Sequence, residues 1–184
     1  MNKINQSTQL LFSNFSGDFN PVHVDPIYAR RSMYGEQVVH GINTLLLALN
    51  YFSKNKKINF QLISLDVKFL KPIFLNTKFN FQIVSNDKKN ITINVLTQNS
   101  ICTKINFEFY KLEKTFFDKN LFKTRPEKYL PEVFSVHKDK NIQNNLKILY
   151  NFEDLLEIYP ELQKRLNNYQ IGVILSLTRL VGMK

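Results

Sequence analysis

Cysteine occurs once in the 184 residues, at Cys102, glycine only five times and proline six. A single cysteine excludes an intrachain disulfide and a cysteine-based zinc site, and it points to a reducing compartment. Scarce glycine and proline beside an apolar fraction of 43% exclude collagen-like, elastin-like and low-complexity disordered chains, which lack the apolar surface needed to offset the entropy of ordering. Nothing approaches the roughly 18 uninterrupted apolar residues of a membrane span, and the opening MNKINQSTQLLF has no apolar run of signal-peptide length. A soluble, cytoplasmic protein with no membrane partner is therefore expected. Acidic residues are also few, 15 against 25 basic, and the formal net charge of +10 favours an anionic partner such as nucleic acid, lipid head groups or a phosphorylated small molecule. No aromatic ribonucleoprotein signature and no helix-turn-helix pattern accompanies that charge, so nucleic acid is not expected. The length suits one domain, or one domain and part of another.

Several segments have a clear period. Leu10, Leu11 and Phe15 fall at helical spacing, with Ser7 or Thr8 placed to cap the start and Gly17 to end the helix. Ser16 to Pro26 packs two prolines, a glycine and three Asp or Asn side chains together and reads as an ordered loop without regular structure. Val38 to Phe52 is apolar on nearly every face and too long for a strand, which predicts a buried helix. Phe60–Leu70, Lys78–Val84, Ile91–Thr97 and Ile101–Tyr110 alternate with period two and are separated by turn residues, predicting an antiparallel meander. One apolar helix followed by such a sheet buries both best if the sheet curls around the helix, an α+β hotdog arrangement. Lys114 to Lys140 is charged, carries Pro126 and Pro131 and reads as a linker; Leu146–Leu156 and Gln163–Leu180 look helical again. The expected organisation is a hotdog domain over 1–113 and a linker with a helical C-terminal region over 114–184. The apolar end of that region either packs on the first domain or a partner, or opens a second domain.

Chemistry concentrates in one place. Asp18, Asn20 and His23 lie within six residues on the proline-bounded turn, and a carboxylate beside an imidazole is the pair that activates water near neutral pH. His40-Gly41 opens the apolar helix, where first-turn N–H groups and the helix dipole can polarise a carbonyl oxygen and a glycine lets a ligand approach the backbone. The same residues also suit a plain helix stop with local turn bonds, and a histidine at a helix mouth commonly satisfies a backbone carbonyl. Lys54, Lys56 and Lys57 read as a solvated helix end or as contacts for phosphates, and Cys102 as inert packing.

The run FSGDFNPVHVDPIYA, Phe15 to Ala29, closely resembles the hydratase signature of the MaoC-like dehydratases, a family that includes the (R)-specific enoyl-CoA hydratases. Gly17, Asp18, Asn20, Pro21, His23 and Ala29 all stand at the family spacing; Tyr34-Gly35, Val39-His40-Gly41 and Phe69-Leu70-Lys71-Pro72-Ile73 support the match, which covers roughly residues 6 to 110. The resemblance implies a hotdog fold and hydration of an enoyl thioester, or dehydration of a 3-hydroxyacyl thioester, carried on coenzyme A or acyl carrier protein, with no metal or redox cofactor. It implies that Asp18 and His23 activate the water, Asn20 orients the loop or His23, and the Gly41 amide stabilises the enolate-like oxygen. His40, Arg31, Lys54, Lys56 and Lys57 are its candidates for substrate binding, with the basic side chains toward the coenzyme phosphates. A homodimer or a second hotdog unit is the implied partner, and LSLTRLVGM near the C-terminus resembles the opening of a second repeat. Two departures stand out: Leu49 lies near where some relatives place a hydroxyl, which bears on the polarity of the acyl pocket, and Asn76-Thr77 replaces a Gly-Asp-Thr turn. Pocket depth beside Leu46 to Leu49 is expected to set acyl length. The competing reading is a catalytically silent acyl-thioester-binding or assembly module of the same fold.

Overall fold

The structure, a computed structural model, describes residues 1–86, 90–98, 100–113, 157–166 and 168–181. Strand β1 (Asn2–Lys3) leads into helix α1 (Gln6–Ser16), whose cap is Asn5 and not Ser7 or Thr8. The Asn5 side chain accepts from the Thr8 N–H at 3.0 Å and the Thr8 hydroxyl accepts from the Asn5 N–H at 3.0 Å, a reciprocal box that satisfies two otherwise orphaned donors. Gly17 ends the helix at φ 73°, the left-handed conformation that favours glycine.

The turn that follows is not irregular. It holds two short helices, α2 (Pro21–Val24) and α3 (Pro26–Arg31), each with proline in its first turn behind an Asn or Asp cap. Asn20 accepts from Val22 N–H at 3.2 Å, and Asp25 from Ile27 and Tyr28 at 2.8 and 3.1 Å. Proline has no N–H to leave unpaired and its φ already suits a helix, so at this position it starts a helix where it would break one further in.

Helix α4 spans Gly41–Lys56, three residues later than its apolar run suggests. Val38 and Val39 are extended because they pair with the chain at Phe74 and Ile73, with Val39 N–H donating to Ile73 C=O at 2.8 Å. Strands β2 (Asn59–Phe69), β3 (Lys78–Asn86), β4 (Asn90–Thr97) and β5 (Ser100–Leu112) complete an antiparallel sheet of order β1-β3-β4-β5-β2. Register shifts leave one extra residue at Ile63, Val84 and Cys102, and such bulges bend and twist strands, which curls the sheet. Its inner face presents Phe79, Ile91, Ile93, Val95, Ile105, Phe107 and Phe109 to Leu45, Leu46, Ala48, Leu49 and Phe52 of α4, all buried. Phe52 meets Phe60, Phe107 and Phe109 edge-on with ring centroids 5.4, 5.1 and 5.6 Å away, the favoured aromatic geometry. The turn after Pro72 places Asn76 at φ 65°, a conformation asparagine adopts more readily than most residues.

The expected linker and the expected helix over Leu146–Leu156 lie outside the described residues. Beyond them, the single helix predicted over Gln163–Leu180 is two, α5 (Pro160–Arg165) and α6 (Asn168–Val181), separated by extended Leu166, which bridges Phe60 of β2. This region packs on the hotdog unit. Tyr159 is fully buried and donates its hydroxyl to Asn43 Oδ1 at 2.7 Å; Asn50 Oδ1 accepts from Glu161 and Leu162 N–H at 3.0 and 2.8 Å, capping α5 from a neighbouring helix. Gln170 grips both backbone groups of Leu62 at 2.7 and 2.9 Å. The polar residues of an otherwise apolar α4 thus receive the C-terminal segment. Tyr159→Phe leaves the Asn43 oxygen buried without its donor and is expected to lower stability by about 1–3 kcal/mol, read as a shift of the urea midpoint at unchanged slope.

Candidate active site

The end of α1, the helix α2 and the start of α4 meet at three side chains. Donor atoms of Asp18, His23 and His40 all lie within 4.8 Å of one another. Asp18 follows Gly17, and its Oδ1 accepts from Asn20 N–H at 3.1 Å while the Asn20 side chain caps α2. Each acceptor therefore fixes the next residue along the turn, and His23, on α2, is delivered beside Asp18.

His23 Nδ1 lies 2.7 Å from the Val38 carbonyl oxygen. A carbonyl only accepts, so Nδ1 carries the proton and the neutral ring keeps its lone pair on Nε2, the form a general base requires. The backbone of His23 is held as well. Its carbonyl accepts from Gln9 Nε2 at 3.1 Å and Gln37 Nε2 at 3.0 Å, and Gln9 Nε2 also donates to Val38 C=O at 2.8 Å. Sequence reasoning missed both glutamines. The available signal was Gln9 itself, an amide on the helix face that Phe12 and Phe15 bury, where a polar side chain requires partners.

His40 is 1% exposed, its ring between Phe12 and His23 at centroid distances of 4.9 and 4.0 Å. Its Nε2 donates to the Asp18 backbone carbonyl at 3.1 Å, with the Ser13 hydroxyl 3.5 Å away. Burial, and then the nearby His23, lower its pKa from 6.5 to about 3, against a smaller opposing effect of the Asp18 backbone bond. His40 is therefore neutral near pH 7, and its 3.9 Å approach to Asp18 Oδ2 is not an ion pair. The ring supports the Asp18 turn from beneath, and the nitrogen nearest Asp18 is already committed to a carbonyl. Asp18, partly exposed, and half-buried His23 remain the donors available to a ligand or cation.

Gly41 is the first residue of α4, and no side chain caps that end. The basic candidates stand apart. Lys54, Lys56 and Lys57 lie at the opposite end of this 16-residue helix, roughly 20 Å or more from Gly41 at about 1.5 Å per residue, because a helix keeps its two ends apart by its own rise. Arg31 is exposed at the end of α3. Leu46 and Leu49, expected beside an acyl pocket, are fully buried in the core.

A curled antiparallel sheet around one long helix defines a hotdog fold, and a carboxylate and an imidazole stand at the mouth of that helix. A model of the MaoC-like domain matches residues 2–104, over half of the chain, and the chain belongs to the MaoC-like domain family. Among solved structures, the ChsH1-ChsH2 complex from Mycobacterium tuberculosis is similar at 15% identity and TM-score 0.51, covering 60% of this chain and 91% of that one. The (R)-hydratase from A. caviae involved in PHA biosynthesis is 19% identical over 59% of this chain and 88% of its own, at TM-score 0.49. The C-terminally truncated HadBC (3R-hydroxyacyl-ACP dehydratase) complex from Mycobacterium tuberculosis is 13% identical over 59% and 89%, also at 0.49. No curated protein matches the chain. Among the described residues, no helix is long and apolar enough to cross a membrane.

Proposed function

We propose that this protein is a hydratase/dehydratase that adds water to an enoyl thioester, or removes it from a 3-hydroxyacyl thioester, carried on coenzyme A or acyl carrier protein. The observation that carries this reading is the juxtaposition of Asp18 with a His23 whose Nδ1 proton is engaged by Val38 and whose Nε2 lone pair is therefore available. In the hydration direction, His23 Nε2 takes a proton from a water held with Asp18, the water oxygen bonds to C3, and the C2–C3 π electrons shift toward the thioester carbonyl. The Gly41 N–H, at the positive end of α4, stabilises the resulting enolate oxygen. C2 then takes a proton from the Asp18/His23 pair, which returns the site to its starting state with one water added. Asn20 and His40 are positioning residues, acting through the turn that carries Asp18.

The proposed hotdog unit is 1–113, with 114–184 as a proposed appended region. The proposed partner is a second hotdog unit along β2. This strand is one of the two edge strands of the sheet, the long one, and among the described residues no strand pairs with its outer edge beyond Leu62. Incubation with crotonyl-coenzyme A tests the activity, with loss of the enoyl absorbance expected. Binding of acyl thioesters without hydration of short, medium or long enoyl chains would overturn it in favour of a silent acyl-binding module.

A further inference from the structure

Phe69 ends strand β2 and is 52% exposed, yet its ring is packed against the first turn of α4. A Cβ built on Gly41 would fall 2.7 Å from Phe69 Cε1, 2.9 Å from Cζ and 3.1 Å from Cδ1, all closer than ordinary carbon contacts. Gly41 has no positive φ, so an alanine could adopt its backbone conformation, and what a side chain there would have to displace is the edge of this ring. The two ends of Phe69 differ in freedom. Its backbone is followed at once by Leu70 and Lys71, whose N–H groups both donate to Cys102 C=O at 2.8 and 3.1 Å, whereas the atoms nearest Gly41 form the far edge of a half-exposed side chain. The result is an apolar wall on a fixed base, laid against bare backbone at the uncapped end of α4, next in sequence to the His40 that underlies Asp18 and His23.

We propose that Phe69 is a specificity-determining residue that touches the substrate: its ring turns aside to admit a flat acyl thioester between itself and Gly41, then rests on that group's apolar face. This deepens the hydratase reading and rests on it. A carbonyl oxygen at the Gly41 amide places the atoms next to it against whatever lies over Gly41, and that is the Phe69 ring. A planar conjugated thioester offers the ring a complementary surface, and covering the ring removes apolar area now facing water.

The test separates binding from chemistry. Butyryl-coenzyme A, a saturated thioester that cannot be hydrated, is titrated calorimetrically into the full-length wild-type protein and into Phe69→Ala. The variant is expected to bind about tenfold more weakly. Gly41→Ala is measured with and without Phe69→Ala by urea denaturation: the midpoint is expected not to fall, because a half-exposed ring that turns aside for a ligand also yields to a methyl, and a midpoint lowered only when Phe69 is present would show a fixed ring and overturn the proposal. Equal butyryl-coenzyme A affinities for wild type and Phe69→Ala, or no binding by either, overturn the proposal. Binding weakened as expected in a protein that hydrates no enoyl thioester retains the wall and removes the hydratase reading instead.

Discussion

Asp18→Asn and His23→Ala are each expected to reduce hydration of crotonyl-coenzyme A by a factor of about 10² to 10⁴, the usual contribution of a positioned acid or base. The size of the effect is interpretable because neither substitution removes the scaffold that presents the pair. In Asp18→Asn, the side-chain oxygen can still accept from Asn20 N–H, so the turn keeps its internal bond while the negative charge is lost. In His23→Ala, the backbone stays clamped, since Gln9 and Gln37 bind the His23 carbonyl and not its ring, and Gln9 continues to satisfy Val38 C=O. Initial rates followed by enoyl absorbance, with circular dichroism to confirm folding, give the comparison. A His23→Ala protein retaining a third or more of wild-type activity would remove His23 from the mechanism.

The second large effect concerns stability below neutral pH. His40 titrates near 6.5 in the unfolded chain and at about 3 in the folded protein, so between those values the unfolded state holds the additional proton. Stability therefore rises with pH across this window and is lost as pH falls from about 6.5 toward 3. From His40 alone, acidification from pH 7 to pH 5 is expected to cost about 2 kcal/mol. Urea midpoints measured over that range for wild type and His40→Gln isolate the effect, because the carboxylates and His23 are common to both proteins. The variant is expected to show the shallower pH dependence; parallel curves would contradict a buried, neutral His40. The same neutrality matters to the site, because the ring's Nε2–H bond to Asp18 C=O holds the turn that carries the carboxylate.

Elements governed by local pattern were legible from the residues. The four alternating runs of the meander became β2 to β5 within a few residues, because one face of each meets the core. The apolar run after Gly35 became α4, although its start moved to Gly41 when Val38 and Val39 paired with the distant strand-like segment at Ile73 and Phe74. The proline-rich turn departs from the irregular loop its composition predicts, because proline terminates or initiates a helix according to position and Asn20 and Asp25 supply the caps that decide it. Asp18 and His23 stand out in the sequence by their spacing, and the fold brings them together with His40. Gln9 and Gln37, which bind the His23 backbone, and Phe69, which lies against Gly41, carry no such local signal because they come from other parts of the chain.

The amino-acid order by itself determined the hotdog pattern, the Asp18/His23 pair and the glycine at the helix mouth, because period, turn chemistry and short spacing act within a few residues. Tertiary packing alone decided that His23 is held with Nε2 available, that His40 is neutral, that a phenylalanine from the sheet lies over Gly41, and that the lysines of α4 stand at the far end. It also decided that Asn43 and Asn50 receive a segment more than a hundred residues away. Hydrogen-bond partners, desolvation and distance depend on neighbours in space, and for these groups the neighbours come from remote parts of the chain.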